Sequence, residues 1–289
     1  MTPALLASHC NIAAVCLSAC DGAAAPLKKQ SDGFHYLYLL NQQGRVNNIM
    51  TENIEYKHDD YSIRSDDVYA LTKYKIVMKW LPDRPGLRIL NAGCGSGEMN
   101  ALLARNASWH VDAIDIDPEA IQLSQQLKAD RKLDNITISQ SSIEAHPGRD
   151  YDVIICNDVL EHIADDQATI QILSNMLKRD GVLCVSVPAL QWLFGYHDRM
   201  LGHYRRYNRR LLVTRLSARF TVKHCRYFGG TLIPIAILYS NMLRRPYPVG
   251  KQGKNSIAGK TLNGLLALEQ DVAFPMGTSL LAMATLPKP

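Results

Sequence analysis

The chain has 289 residues, 47% hydrophobic and 20% charged, with 32 Lys and Arg against 27 Asp and Glu, a formal charge of +5. This length supports one large domain with a full core, and this composition excludes a disordered or low-complexity chain. No run of about eighteen apolar residues argues for a membrane-spanning helix. The positive excess is local: residues 198–226 hold nine Lys and Arg and one acid, Asp198.

Seven cysteines form no C-x-x-C pair, and several lie inside apolar runs. That usage fits small core residues in a reducing, cytoplasmic compartment, and no set of metal ligands is read from their spacing. In residues 1–49 the stretch "ALLASHCNIAAVCLSAC" has the apolar character of a secretory signal, but no Lys or Arg precedes it. These residues are expected to be a poorly ordered extension, with the domain spanning 50–289.

Residues 65–81 place apolar side chains at three- and four-residue spacings behind Ser65, which predicts an amphipathic helix with a Ser N-cap. Strand patterns follow at 87–92, 110–116, 135–140, 151–157 and 181–188. Helical patterns at 98–105, 118–130, 161–163 and 166–178 separate them. Such alternation predicts right-handed crossovers and a mostly parallel sheet covered on both faces. After Pro188 two more strands, 220–228 and 277–286, are separated by a helical, partly apolar insertion. The expected fold is α/β: a doubly wound, seven-stranded, mostly parallel sheet with a helical insertion before the last strand and an antiparallel last pair.

In such sheets the first strand-to-helix loop contacts the ligand. Here it reads "LNAGCGSGE", with Gly93, Gly95 and Gly97. The third glycine of a dinucleotide fingerprint is missing, and no G-K-[ST] follows as a P-loop requires. Glu98 opens the next helix and competes with a pyrophosphate for its positive end. A ligand combining adenosine with a cationic centre suits the loop better, and S-adenosylmethionine is one. Asp115, at the end of the second strand, is placed to take a ribose diol, while Asp117 before Pro118 serves as helix cap.

Residues 87–188 resemble the class I S-adenosylmethionine-dependent methyltransferase core. "LNAGCGSGE" resembles its first motif, "AIDIDPEAI" its second, "YDVIICNDVLEHI" its fourth, and "LKRDGVLCVSVP" the segment that follows. The resemblance implies that Gly93, Gly95 and Gly97 line the methionine moiety, that Asp115 takes the ribose hydroxyls and that Ile116 packs on the adenine. It further implies that Ser142 and Ile143 border the adenine and that Asn157 lies beside the methionine end. Two positions depart from the family: Asn91 stands where an acid is usual, so its amide would face the ammonium, and Ser142 replaces another acid. On this resemblance residues 189–289 supply the acceptor side.

There the chain reads "LFGYHDRMLGHYRRYNRRLL", 193–212. His197 and His203 are candidate bases, with Asp198 able to orient an imidazole. Arg205 and Arg206 are candidates to hold a phosphate or carboxylate, with Tyr207 beside them. The pattern H-D-x-x-x-G-H-x-R-R-Y resembles a signature in a bacterial branch of these methyltransferases. The following stretch predicts a helix with Leu211, Leu212, Leu216 and Phe220 inward and Arg209, Arg210, Arg215 and Arg219 solvated. Residues 229–243 predict a short apolar helix, either core or in contact with a lipid-like substrate at a membrane surface.

The leading expectation is methyl transfer to oxygen of a small-molecule or lipid-like acceptor. Nucleic-acid methylation through the basic 199–226 segment is the alternative. It is disfavoured because Asn157-Asp158-Val159-Leu160 stands where base-amino methyltransferases carry Asn/Asp-Pro-Pro-aromatic. A non-catalytic S-adenosylmethionine-binding partner protein is the third reading.

Overall fold

A computed structural model describes residues 37–40, 46–49, 67–245 and 257–287. The chain divides into two compact units, Met1–Asn53 and Ile54–Pro289. The described part of the first is an antiparallel ribbon, β1 (Leu37–Leu40) against β2 (Val46–Ile49). The expectations for the rest of residues 1–49 lie outside the described residues.

The second unit is built on β3 (Arg88–Ala92), β4 (His110–Asp115), β5 (Ile136–Gln140), β6 (Tyr151–Asn157), β7 (Leu177–Pro188), β8 (Thr221–Phe228) and β9 (Ser279–Thr285). They form one seven-stranded sheet in the order β5-β4-β3-β6-β7-β9-β8. β3 runs parallel to β4 and β6, β4 to β5, and β6 to β7. β9 lies antiparallel between β7 and β8. The antiparallel last pair is as expected, and the last strand proves to be interior rather than an edge. The strand order reverses between β3 and β6, and the crevice at their carboxyl ends is where such a sheet takes a ligand.

Period-two alternation separates the two faces. Leu90, Ile154, Leu183 and Val185 join one buried cluster, while Ile89, Val153, Ile155 and Cys184 join the other. Helices cover both clusters, which is why β6 is buried along all seven residues and reads as an unbroken apolar run. The edge strands β5 and β8 are part-exposed. β7 starts earlier than residue 181: it leaves the preceding helix at Leu177 and crosses an irregularity opposite Tyr151 and Val153.

The first helix, Val68–Met78, is capped by Asp67, whose side chain accepts from the Tyr69 N–H at 2.8 Å. Asp67 therefore replaces Ser65 as the cap. Asp117 caps Pro118–Arg131 as expected, accepting from the Glu119 N–H at 2.9 Å. Asn208 caps Arg209–Ser217, which buries Leu212, Leu216 and the following Phe220. Arg209, Arg210 and Arg219 are exposed, but Arg215 turns in to Asp166 at 3.5 Å. The single helix expected over 229–243 is three short pieces, a 3-10 turn (Gly230–Leu232), an α-turn (Ile233–Ala236) and a π-helical stretch (Ile237–Met242). Among the described residues no helix is long and apolar enough to cross a membrane.

Candidate active site

Gly93, Gly95 and Gly97 adopt φ of 74°, 53° and 96°, a region closed to most side chains. Space forbids them as well. A Cβ on Gly93 would stand 2.3 Å from Val159 Cγ2, and one on Gly97 2.7 Å from Ser124 Oγ. Asp115 closes the loop from the end of β4: Oδ2 accepts from the Gly95 N–H at 2.8 Å and Oδ1 from the Asp117 N–H at 3.0 Å. Each oxygen keeps a lone pair, as a ribose diol requires.

Beside it Ile116 is 71% exposed, a bare aliphatic surface at the strand end. Ser142 is part-exposed and accepts from the Ala145 N–H, whereas Ile143 is buried in the core. Asn157 is buried at the end of β6, and neither Oδ1 nor Nδ2 has a hydrogen-bond partner. Leaving a buried amide unpaired costs about 1–3 kcal/mol per group, so this amide calls for a partner that the described residues do not supply. The glycines, Asp115, the bare Ile116 and the Asn157 amide together fit a nucleoside with an amino-acid tail.

Asn91 lies elsewhere. It is buried and donates to Asn100 Oδ1 at 2.8 Å, and Asn100 donates to Ser124 Oγ at 3.0 Å. The amide thus ties β3 to the two helices behind the loop. Glu98 is buried and accepts from Ser96 Oγ at 2.8 Å.

Past Asn157 the chain turns sharply at Asp158, φ 53°. The Asp158 carboxylate pairs with buried Lys73 and accepts from Ser186 Oγ at 3.2 Å. Burial would lower the Lys73 pKa, but Asp158 together with Tyr69 and Tyr74 more than offsets it and holds the ammonium charged. A 3-10 turn, Leu160–His162, then carries Glu161 inward. Glu161 is buried with Oε2 unpartnered, and burial together with the charge of Asp158 pushes its pKa well above the carboxylate range.

The segment 193–207 folds over this turn. Asp198 is fully buried and is its hub. Oδ1 accepts from Arg206 Nε at 2.6 Å and bonds His203 Nδ1 at 3.0 Å, while Oδ2 accepts from the Gly195 N–H at 2.9 Å. Burial alone would raise the Asp198 pKa; the His203 and Arg206 bonds instead hold it down at about 2. The Tyr204 N–H donates to the Glu161 carbonyl at 2.8 Å, which sets the His203 ring edge-on to His162, centroids 4.6 Å apart. His197 directly precedes the hub in the chain, and its N–H donates to Ser240 Oγ in the π-helical stretch at 3.2 Å.

The remaining predicted contacts are bound to the protein itself. Arg205 donates to the carbonyls of Ile163 and Ala164, both at 2.7 Å, and lies 3.4 Å from Asp166. Arg206 is buried against Asp198 and the Ala189 carbonyl. Tyr207 is buried and donates to Asp166 at 2.8 Å. Arg205 and Arg206, expected to hold an acceptor phosphate or carboxylate with Tyr207 beside them, use these donors to clamp the segment down. Lys73, Asp158, Glu161 and His162 were not among the predicted site residues. The sequence signal for Asp158, Glu161 and His162 is "NDVLEHI" at the end of the fourth core strand, and Lys73 comes from the first helix.

Residues 83–222 match a family model described as a methyltransferase domain. A ubiquinone biosynthesis O-methyltransferase of Xanthomonas campestris pv. campestris is 32% identical over 104 residues, 35% of this chain and 43% of that protein. Its Xylella fastidiosa counterpart is 34% identical over 103 residues, 35% and 42%. The chain thus spans less than half the length of these relatives. Among solved structures, the complex of the Haloferax volcanii Trm112 methyltransferase activator with a methyltransferase gives TM-score 0.55 at 16% identity, covering 80% of this chain and 96% of that one. The N-methyltransferase NodS of Bradyrhizobium japonicum gives 0.51 at 15%, covering 78% and 99%. The [4+2]-cyclase SpnF gives 0.53 at 17%, covering 76% and 81%. One of these neighbours is a cyclase, so the fold alone does not fix the reaction.

Proposed function

We propose that the protein is an S-adenosylmethionine-dependent methyltransferase of the class I fold that methylates a hydroxyl of a small or lipid-like acceptor, a reading supported by the match of residues 83–222 to a methyltransferase domain model. The observation that carries the reading is a juxtaposition. The unpartnered Asn157 amide ends β6, Glu161 and His162 lie on the turn that follows it, His203 is brought onto that turn by the segment after β7, and Val159 of the turn approaches Gly93 of the glycine loop. The local likeness to relatives named as O-methyltransferases supports oxygen as the attacking atom. Exposed Trp192, Tyr196 and Tyr204 on the covering segment support an apolar acceptor body.

The cofactor, when bound, supplies a methyl group on a cationic sulfur. Asp115 would hold the ribose diol, Ile116 the adenine face, and Asn157 the polar atoms of the amino-acid tail. Most of the acceleration in such a transfer comes from proximity and orientation, and a base adds to it. His203 is the residue suited to that proton: with Nδ1–H directed at ionised Asp198, the lone pair of Nε2 is left for the acceptor side. Asp198 acts through His203 and is a positioning residue.

The test uses isotopically labelled S-adenosylmethionine with a lipid-containing cell extract. Asp115→Ala should weaken cofactor binding, because the carboxylate serves both loop and ligand. His203→Ala should bind cofactor normally and lower methyl transfer about 100-fold or more. Equal loss of binding in both variants contradicts this division of roles. Absence of any labelled product, with cofactor bound, favours instead a chain that only holds the cofactor.

A further inference from the structure

We propose that His146 is a positioning residue for the nucleoside end of the cofactor site, acting through the turn that carries Ser142. The parallel crossovers from β3 to β4, from β4 to β5 and from β6 to β7 each contain a helix. The crossover from β5 to β6, residues 141–150, contains only a turn. A segment with no hydrogen-bonded ladder of its own opens easily unless side chains hold it. This one stands beside Asp115, because the Ser141 N–H donates to the Asp115 carbonyl at 2.9 Å. The next residues close on themselves: the Ala145 N–H donates to Ser142 Oγ and the His146 N–H to the Ser142 carbonyl, both at 3.1 Å. Ser142 and His146 therefore move as one unit.

His146 moors that unit. It is 8% exposed, and its Nε2 lies 2.7 Å from Tyr151 Oη, which donates to Asp112 Oδ2 at 2.8 Å. Tyr151 has one hydroxyl proton and gives it to Asp112, so the ring nitrogen is the donor of the first bond. Burial, opposed by Asp112 and joined by Arg149 and Arg88, lowers the His146 pKa and keeps the ring neutral with its N–H on Nε2. Arg88 braces the chain of bonds, its guanidinium 4.7 Å from the Tyr151 ring centre and 3.2 Å from Asp112 Oδ2. Gly148 leaves the room for it: a Cβ there would stand 2.1 Å from Tyr151 Oη and 2.5 Å from His146 Nε2. Asp112 and Asp115 share β4, so these bonds tie the Ser142 turn to the strand that ends in the ribose contact.

This inference rests on the methyltransferase reading for the identity of the ligand. His146 is buried and acts through Ser142: it sets where one wall of the nucleoside end stands, and takes no part in the transfer.

The experiment is calorimetric titration of the full chain with S-adenosylhomocysteine and with 5′-methylthioadenosine, which keeps the nucleoside and lacks the amino-acid tail. His146→Leu should weaken both ligands about 10-fold, the scale of one buried hydrogen bond. His146→Gln can offer an amide N–H to Tyr151 and should bind both within about 3-fold of the natural chain. Hydrogen exchange at the amides of 141–146 should quicken in His146→Leu and not in His146→Gln, with the glycine loop unchanged in both. Should His146→Leu not fold, Tyr151→Phe, which keeps the ring and removes the hydroxyl, takes its place. A Gln variant as weak as the Leu variant, or exchange at 141–146 unchanged in His146→Leu, overturns the proposal. Normal binding by the natural chain with unaltered affinity in His146→Leu overturns the role of His146 alone, whereas no binding of either ligand by the natural chain overturns the methyltransferase reading with it.

Discussion

Gly93 shows how much one missing methyl group can hold. Its φ of 74° and the 2.3 Å approach of Val159 exclude any Cβ, and Val159 belongs to the turn that carries Glu161. Gly93→Ala must therefore displace either the glycine loop or the turn after β6. We expect a stability loss of about 1–3 kcal/mol, the range for a strained backbone position, together with weaker cofactor binding. Denaturant unfolding and cofactor titration check it, and an unaltered affinity would separate the loop from the cofactor. Residues of this kind were legible in the sequence, because the loop, Asp115 and Asp117 are fixed by spacing within one strand-loop-helix unit. Arg205 and Arg206 were not. An arginine pair looks the same in sequence whether it faces a bound anion or the protein's own acceptors, and here the Asp198 carboxylate and the carbonyls of Ile163, Ala164 and Ala189 take it.

At the scale of elements, the sequence period identified every strand of the large sheet, since buried strands in a crossover fold are short apolar runs between helical ones. It did not show which segments meet at the site. Glu161 and His203 come together only because the segment after β7 folds back over the turn after β6, a pairing no local pattern encodes. A second junction was equally hidden. Glu269, at the end of the Ile257–Glu269 helix, is fully buried and accepts from the N–H groups of Gly229, Gly230 and Thr231 and from the Thr231 hydroxyl, at 2.7–2.9 Å. That carboxylate caps the start of the broken segment after β8. Glu269→Ala strands four donors, and a cost on the order of 3 kcal/mol follows from leaving buried partners of a charge unpaired. The urea midpoint should fall accordingly; a loss under about 1 kcal/mol would mean that water replaces the carboxylate.

For the molecule as a whole, two buried carboxylates set the acid limit. Asp198 is held at about 2 despite its burial, and Asp152, against Arg84, Lys178 and the Arg88 N–H, is likewise held below the usual range. Both are protonated more easily in the unfolded chain. Their contribution to stability is complete above about pH 4 and drains away as the pH falls toward 2. Unfolding midpoints should be level from neutrality to about pH 5 and drop below about pH 4; Asp198→Asn should flatten part of that drop while lowering stability at neutral pH. Level midpoints down to pH ~2 would contradict the assigned charges.

β9 gives the molecule an order of assembly. It is the sole neighbour of β8 in the sheet and also borders β7. During synthesis the core from β3 to β7 can close on its own contacts, but β8 has nothing to pair with until residues 279–285 emerge. The segment that carries His203 is anchored between β7 and β8. The glycine-loop half of the candidate site can therefore form early, and the His203 half becomes fixed only with the last strand.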